Sequence, residues 1–76
     1  MEKDELLSRV GQKIKEIRQS KGLSQVGLVG RVSGEIDTTN ISRIESGRTN
    51  PTLHTLYRLS EALEIPLKDL VDIDLN

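Results

Sequence analysis

GLSQVGLVGRVSGEIDTTNISRIESGRTNPTL, residues 22–53, reads as two short helices in succession, each opened by the same start signal. In the first, Ser24 can accept hydrogen bonds from the free N–H groups of a first turn, and Leu23, one place ahead, can pack on Leu28 as a hydrophobic staple. The second repeats the arrangement with Asp37 as cap and Ile36 paired with Ile41. The first helix is predicted to end near Val32, and Ser33-Gly34-Glu35 then breaks the pattern. The second is predicted over residues 38–46, stopped by Gly47. Gly27 and Gly30 each weaken the first helix by up to about 1 kcal/mol against Ala, so tertiary packing must hold it.

The flanks extend the helical pattern in both directions. Upstream, Leu6, Leu7, Val10, Ile14 and Ile17 form one apolar stripe at steps of three and four from Leu7 onward, ended by Gly22 as a C-terminal cap. Downstream, Asn50-Pro51 marks a turn, and Thr52 caps a helix carrying Leu53, Leu56, Leu59 and Leu63. Pro66 breaks that helix before a last helical turn over residues 67–71. The expectation is an all-α, compact five-helix bundle forming a single domain over residues 1–76. The end, residues 71–76, alternates apolar and acidic side chains like a strand with one buried face. It either frays or pairs with the same segment of a second chain.

Composition narrows the class further. With 76 residues there is room for one core, and 1% aromatic content leaves Leu, Ile and Val to build it. Without cysteine there are neither disulfides nor thiolate metal ligands, which fits a reducing cytoplasm. The acidic N-terminus has no apolar run behind it, and nowhere do 18 apolar residues follow one another, so neither an export signal nor a membrane span is expected. The formal net charge of -1 argues against a polyanion partner until its distribution is considered. Residues 9–57 hold eight bases (Arg9, Lys13, Lys15, Arg18, Lys21, Arg31, Arg43, Arg48) against four acids (Glu16, Glu35, Asp37, Glu45). Asp4, Glu5, Asp69, Asp72 and Asp74 at the two ends mask that basic middle.

On the second helix of the pair, Ile41 and Ile44 define a buried side, and at about 100° per residue the opposite side presents Thr39, Ser42, Arg43 and Ser46. This face is short, polar and carries one charge. Slim side chains of this kind let a helix backbone approach base edges in a major groove about 12 Å wide.

Gly22-Leu23-Ser24-Gln25, Ile41-Ser42-Arg43-Ile44-Glu45-Ser46-Gly47 and Asn50-Pro51-Thr52-Leu53 together resemble the phage Cro and C1 repressor type of helix-turn-helix, the XRE family, over residues 10–71. The resemblance implies a lambda-repressor-like DNA-binding domain and a sequence-specific transcriptional regulator, a repressor or controller protein. Its partner would be double-stranded DNA. Positions matching Thr38, Thr39 and Arg43 commonly meet bases in the family, and Ser42 and Asn40 stand beside them; Arg can fork onto guanine O6 and N7. Gln25, with Ser24 beside it at a helix N-terminus, matches a DNA-backbone contact, and Arg48, Thr49 and Asn50 resemble a second phosphate clamp. Arg18 and Glu45 match an internal salt bridge between the first and third helices, which makes Glu45 structural and not catalytic. The chain departs from the family at Val29 and Val32, where small alanines are common, at Gly27, where Glu often completes a capping box, and in its turn. Residues 33–37 make that turn longer than the usual three to four or so.

One helix reads only a few base pairs, and Leu67, Leu70, Val71, Ile73 and Leu75 exceed what so small a core needs, so a homodimer joined through them is expected on a palindromic operator. The competing reading is an antitoxin-like or anti-repressor interaction module that uses the alternating tail to hold an unknown protein partner. Catalysis has no support, since no nucleophile with a base, paired acid and base, or phosphate loop is recognisable. His54 stands without the second imidazole or thiolate that a metal site needs, and no metal or cofactor is expected. Tyr57 falls one place after Leu56, suited to covering the edge of the core.

Overall fold

A computed structural model describes residues 1–75; Asn76 lies outside the described residues. Among them run five helices and no strand: α1 (Lys3–Ser20), α2 (Gln25–Val29), α3 (Thr38–Glu45), α4 (Leu53–Leu63) and α5 (Leu67–Leu70). The radius of gyration is 11.3 Å.

Each helix of the central group begins on a side-chain cap. Ser24 Oγ accepts from the Gly27 N–H at 2.9 Å, Asp37 Oδ1 from Asn40 N–H at 2.8 Å, and Thr52 Oγ1 from Thr55 N–H at 3.0 Å. Each bond satisfies one of the orphan donors of a first turn. α1 has no side-chain cap but places Asp4 and Glu5 in its first turn, where carboxylates favour the positive end of the helix dipole. At the far end of α1, Gly22 N–H donates to Gln19 O and Leu23 N–H to Arg18 O, the paired bonds of a Schellman motif. α3 ends the same way: Gly47, at φ +76°, donates to Ile44 O, and Arg48 N–H to Arg43 O.

The core consists of Ile14 from α1, Leu28 from α2, Ile41 and Ile44 from α3, Leu59, Ala62 and Leu63 from α4, and Leu70 from α5. Val10, Ile17, Leu23, Val29, Val32, Ile36, Leu56 and Ile65 pack against it in part. Fully burying an aliphatic side chain of this size stabilises a fold by about 1.5–3 kcal/mol, which is what keeps the short, glycine-weakened α2 helical. α1 and α3 approach closely at Gly11, which is buried: a Cβ there would collide with the carbonyl oxygen of Ile44 and stand 2.7 Å from that of Glu45.

Three expectations are corrected. α2 ends at Val29 rather than near Val32, so the connection to α3 covers residues 30–37. Val32 still packs on the core without being helical, since the loop folds inward there. Leu53, carried by α4 as expected, has 70% of its surface exposed at the first turn of that helix. Leu70 is fully buried and cannot belong to a dimer interface: α5 turns it inward against α4. The tail forms no strand among the described residues. It returns instead along α1, where Arg9 Nη1 donates to Asp74 O at 2.6 Å and Ile73 lines a hollow with Leu6, Leu7 and Val10.

Candidate nucleic-acid interface

The capping of α3 by Asp37 and the burial of Ile41, Ile44 and Glu45 fix which way the rest of this helix faces. Thr38, Thr39, Asn40, Ser42, Arg43 and Ser46 are all exposed. Thr38, Thr39, Ser42 and Arg43 share one open concavity with Gln25 from the start of α2 and Arg48 from the turn after α3. Side chains from two helices and a loop thus meet on one surface that contains two guanidinium groups and no carboxylate.

Asn40, Thr49 and Asn50 lie elsewhere. They line a neighbouring hollow with Glu35, Ile36, Thr52 and Arg58, and Arg43 stands on the ridge between the two, lining both. The three residues of the expected second clamp are therefore divided, Arg48 on one side of Arg43 and Thr49 with Asn50 on the other. Ser24 lines neither hollow; its hydroxyl is engaged in the α2 cap.

Behind the concavity lies an ion pair. Arg18 of α1 grips Glu45 of α3 through Nε–Oε2 at 2.6 Å and Nη2–Oε1 at 3.0 Å, and its Nη1 donates to Leu23 O at 2.7 Å. Gln25 Nε2 donates to the same Glu45 Oε1 at 3.1 Å. One carboxylate thereby connects α1, the start of α2 and the end of α3. Both charged residues are buried, and the hydrogen bond to Glu45 raises the Arg18 pKa above its ordinary value, with burial opposing and the Coulombic attraction adding. The bidentate geometry suits a guanidinium and no other cation.

Two residues that position this face escape sequence reasoning. Arg58 of α4 donates from Nε to Ser33 O and from Nη2 to Glu35 O, both at 2.8 Å, and so holds the connection between α2 and α3. Its acceptors are backbone carbonyls, which carry no sequence signal. Gly11 sets the distance between α1 and α3, and a glycine in the middle of an amphipathic helix was the available clue. Elsewhere, Tyr57 is 47% exposed rather than lying over the core edge, and its hydroxyl donates to Glu61 at 3.1 Å, a bond that raises the phenol pKa. His54 is exposed. Among the described residues no group of His, Cys, Asp or Glu could hold a metal ion, and no helix is long and apolar enough to cross a membrane.

A capped pair of short helices, the second turning a polar face outward and the whole buttressed by three further helices, defines a helix-turn-helix domain. The chain belongs to the helix-turn-helix family of the Cro/C1 type, HTH_3, whose model matches residues 14–70. It is 34% identical over 61 residues to the HTH-type transcriptional regulator DdrOP3 of Deinococcus deserti, covering 80% of this chain but only 46% of that protein. To the control protein C.BamHI of Bacillus amyloliquefaciens it is 40% identical over 63 residues, 82% of this chain and 75% of the relative. Among solved structures, the restriction-modification controller protein C.AhdI of Aeromonas hydrophila superposes with a TM-score of 0.79 at 33% identity, over 84% of this chain and 94% of that one. The controller protein C.Esp1396I, solved as a tetramer on its natural 35 base-pair operator, superposes with a TM-score of 0.73 at 33% identity, over 87% and 93% of the two chains.

Proposed function

We propose that this chain is a sequence-specific double-stranded DNA-binding transcriptional regulator, a repressor or controller protein that acts as a homodimer on a palindromic operator. The observation that carries the reading is the meeting of Gln25, Thr38, Thr39, Ser42, Arg43 and Arg48 on one acid-free surface. In this mechanism α3 enters the major groove. Arg43 forks onto a guanine, the methyl groups of Thr38 and Thr39 meet thymines, and Ser42 and Asn40 supply shorter polar contacts. Gln25 and Ser24 at the start of α2, with Arg48, Thr49 and Asn50 after α3, hold phosphates and fix the register. Arg18 and Glu45 hold α1 against the C-terminal end of α3. The whole of residues 1–76 serves as one DNA-binding domain, catalyses no reaction and works in the cytoplasm where its DNA is. Leu67, Val71, Ile73 and Leu75 form the dimer face, with Val71 and Leu75 at 41% and 66% exposure as its outermost groups. C.Esp1396I, an oligomer on its operator, supports this mode by likeness.

An antitoxin-like or anti-repressor module would offer its tail to a partner as a strand. That tail instead lies along α1 under the hold of Arg9, which favours the DNA reading. Selection of bound sites from random duplex DNA tests it. The expected product is a palindrome with half-sites about 10 bp apart or a multiple, bound with an affinity that falls steeply with salt. Failure to enrich any sequence, with no salt-dependent binding to random duplex, would overturn it.

A further inference from the structure

The connection between α2 and α3 is longer than a tight helix-turn-helix turn, covering residues 30–37, and a loop of that length would ordinarily leave α3 free to change its angle. Val32 and Ile36, towards the loop's two ends, pack against the core, and between them one side chain from another helix holds the loop's backbone by hydrogen bonds. Arg58 reaches from α4 with Nε on Ser33 O and Nη2 on Glu35 O, two bonds of 2.8 Å that straddle Gly34. Gly34 is at φ +90°, and a Cβ there would stand 3.0 Å from Nη2, so the loop closes on the guanidinium at a position that has no side chain. Two residues beyond Glu35 comes Asp37, the cap of α3. Arg58 also lines the same hollow as Asn40 and Arg43.

We propose that Arg58 is a positioning residue for sequence readout: by bridging two carbonyls of the lengthened loop it fixes the angle at which α3 meets the major groove. This rests on the DNA-binding reading above. A bridge of this kind needs the fixed fork of a guanidinium. Lysine keeps the charge, but its donors share one freely rotating nitrogen and lack the planar fork that meets the two carbonyls from Nε and Nη2 separately.

The test compares R58K and R58M with the parent chain on two probes, a duplex selected by the parent from random DNA and a scrambled duplex of equal length, over a range of salt. Thermal unfolding of each variant, and ¹⁵N order parameters for residues 33–36, are measured alongside. If Arg58 acts through the loop, R58K loses about ten- to a hundredfold in affinity on the selected duplex, keeps its affinity for the scrambled one, and keeps the slope of log affinity against log salt. The order parameters at residues 33–36 fall in both variants while the helices keep theirs. The proposal is overturned if R58K binds both duplexes as the parent does and R58M loses equally on both with a flatter salt slope, the behaviour of a phosphate contact. Unchanged order parameters in R58K overturn it equally. Should the parent select no duplex at all, the DNA-binding reading fails and takes this one with it, a result separable from the others because it appears before any variant is made.

Discussion

Arg18 and Glu45 face each other across the junction of α1 and α3 with both carboxylate oxygens engaged, one by Arg18 alone and the other shared between Arg18 and Gln25. A buried pair of this kind is weak evidence of net stabilisation, because removing two charges from water costs about as much as their attraction returns, but the loss of one member leaves the other stranded. Arg18→Met is therefore expected to destabilise the fold by about 3–5 kcal/mol, as is Glu45→Leu alone. Together the two changes are expected to cost far less than their sum, since an apolar pair leaves no unpaired charge. Urea denaturation of the four chains, arranged as a double-mutant cycle, checks this; additive losses would show that the charges are not coupled.

Gly11→Ala opposes two effects of different size. Alanine favours a helix interior over glycine by about 1 kcal/mol. Against that, its methyl would press on the carbonyls of Ile44 and Glu45, backbone atoms that can move only if α3 moves with them. Overpacking of this sort costs about 1–3 kcal/mol before any propensity gain, so net destabilisation is expected. Thermal unfolding gives the sign, and a melting temperature equal to or above the parent's contradicts the close approach.

Glu64 ends α4 in the left-handed region at φ +57°, a conformation that costs a residue with a Cβ about 1–2 kcal/mol. Its N–H donates to Glu61 O and that of Ile65 to Ser60 O, so the backbone already makes the bonds of a Schellman motif. Glu64→Gly relieves the strain while adding freedom to the unfolded chain, and a gain of about 1 kcal/mol is expected. For a domain of this size that raises the melting temperature by about 4–8 °C. DNA affinity should be unchanged, because Glu64 lines neither hollow beside α3.

Arg43 and Arg48 carry the same charge on the same concavity, and the proposed function assigns them different tasks. Arg43→Ala is expected to cost about 1–3 kcal/mol per half-site on the selected operator and to relax the preference at one base pair. Arg48→Ala should weaken all duplexes alike and lower the salt slope by about one. Equal loss from Arg43→Ala on operator and scrambled duplex would make it a phosphate contact and leave reading to Thr38, Thr39, Asn40 and Ser42.

Most of the architecture was legible because capping and periodicity are local. Ser24, Asp37 and Thr52 each announce a helix start by residue type, and Gly22 and Gly47 each announce an end. Exposure at the ends of elements was harder to read: Leu53 and Leu70 are chemically alike, yet one is 70% exposed and the other fully buried, which depends on where α4 and α5 lie relative to the core. The exposed face of α3 follows from Ile41 and Ile44. The division of Arg48 from Thr49 and Asn50 does not, since Arg43 separates them only in three dimensions. Arg58 was invisible for the same reason: its partners are carbonyls of residues 23 and 25 positions earlier in the chain.

The return of the tail along α1 gives the molecule a polarity. Glu5, Glu16, Asp72 and Asp74 gather with Arg9 and Lys13 around one hollow, whereas the concavity of Arg43 and Arg48 holds no acid and shares no residue with it. A chain of net charge -1 is weakly repelled as a whole by a polyanion, but with its acids and guanidinium groups set apart in this way the two hollows respond oppositely to the same field. On the DNA-binding reading, approach within the Debye length of about 8 Å at physiological salt therefore favours orientations that present the guanidinium hollow and turn the acidic one away.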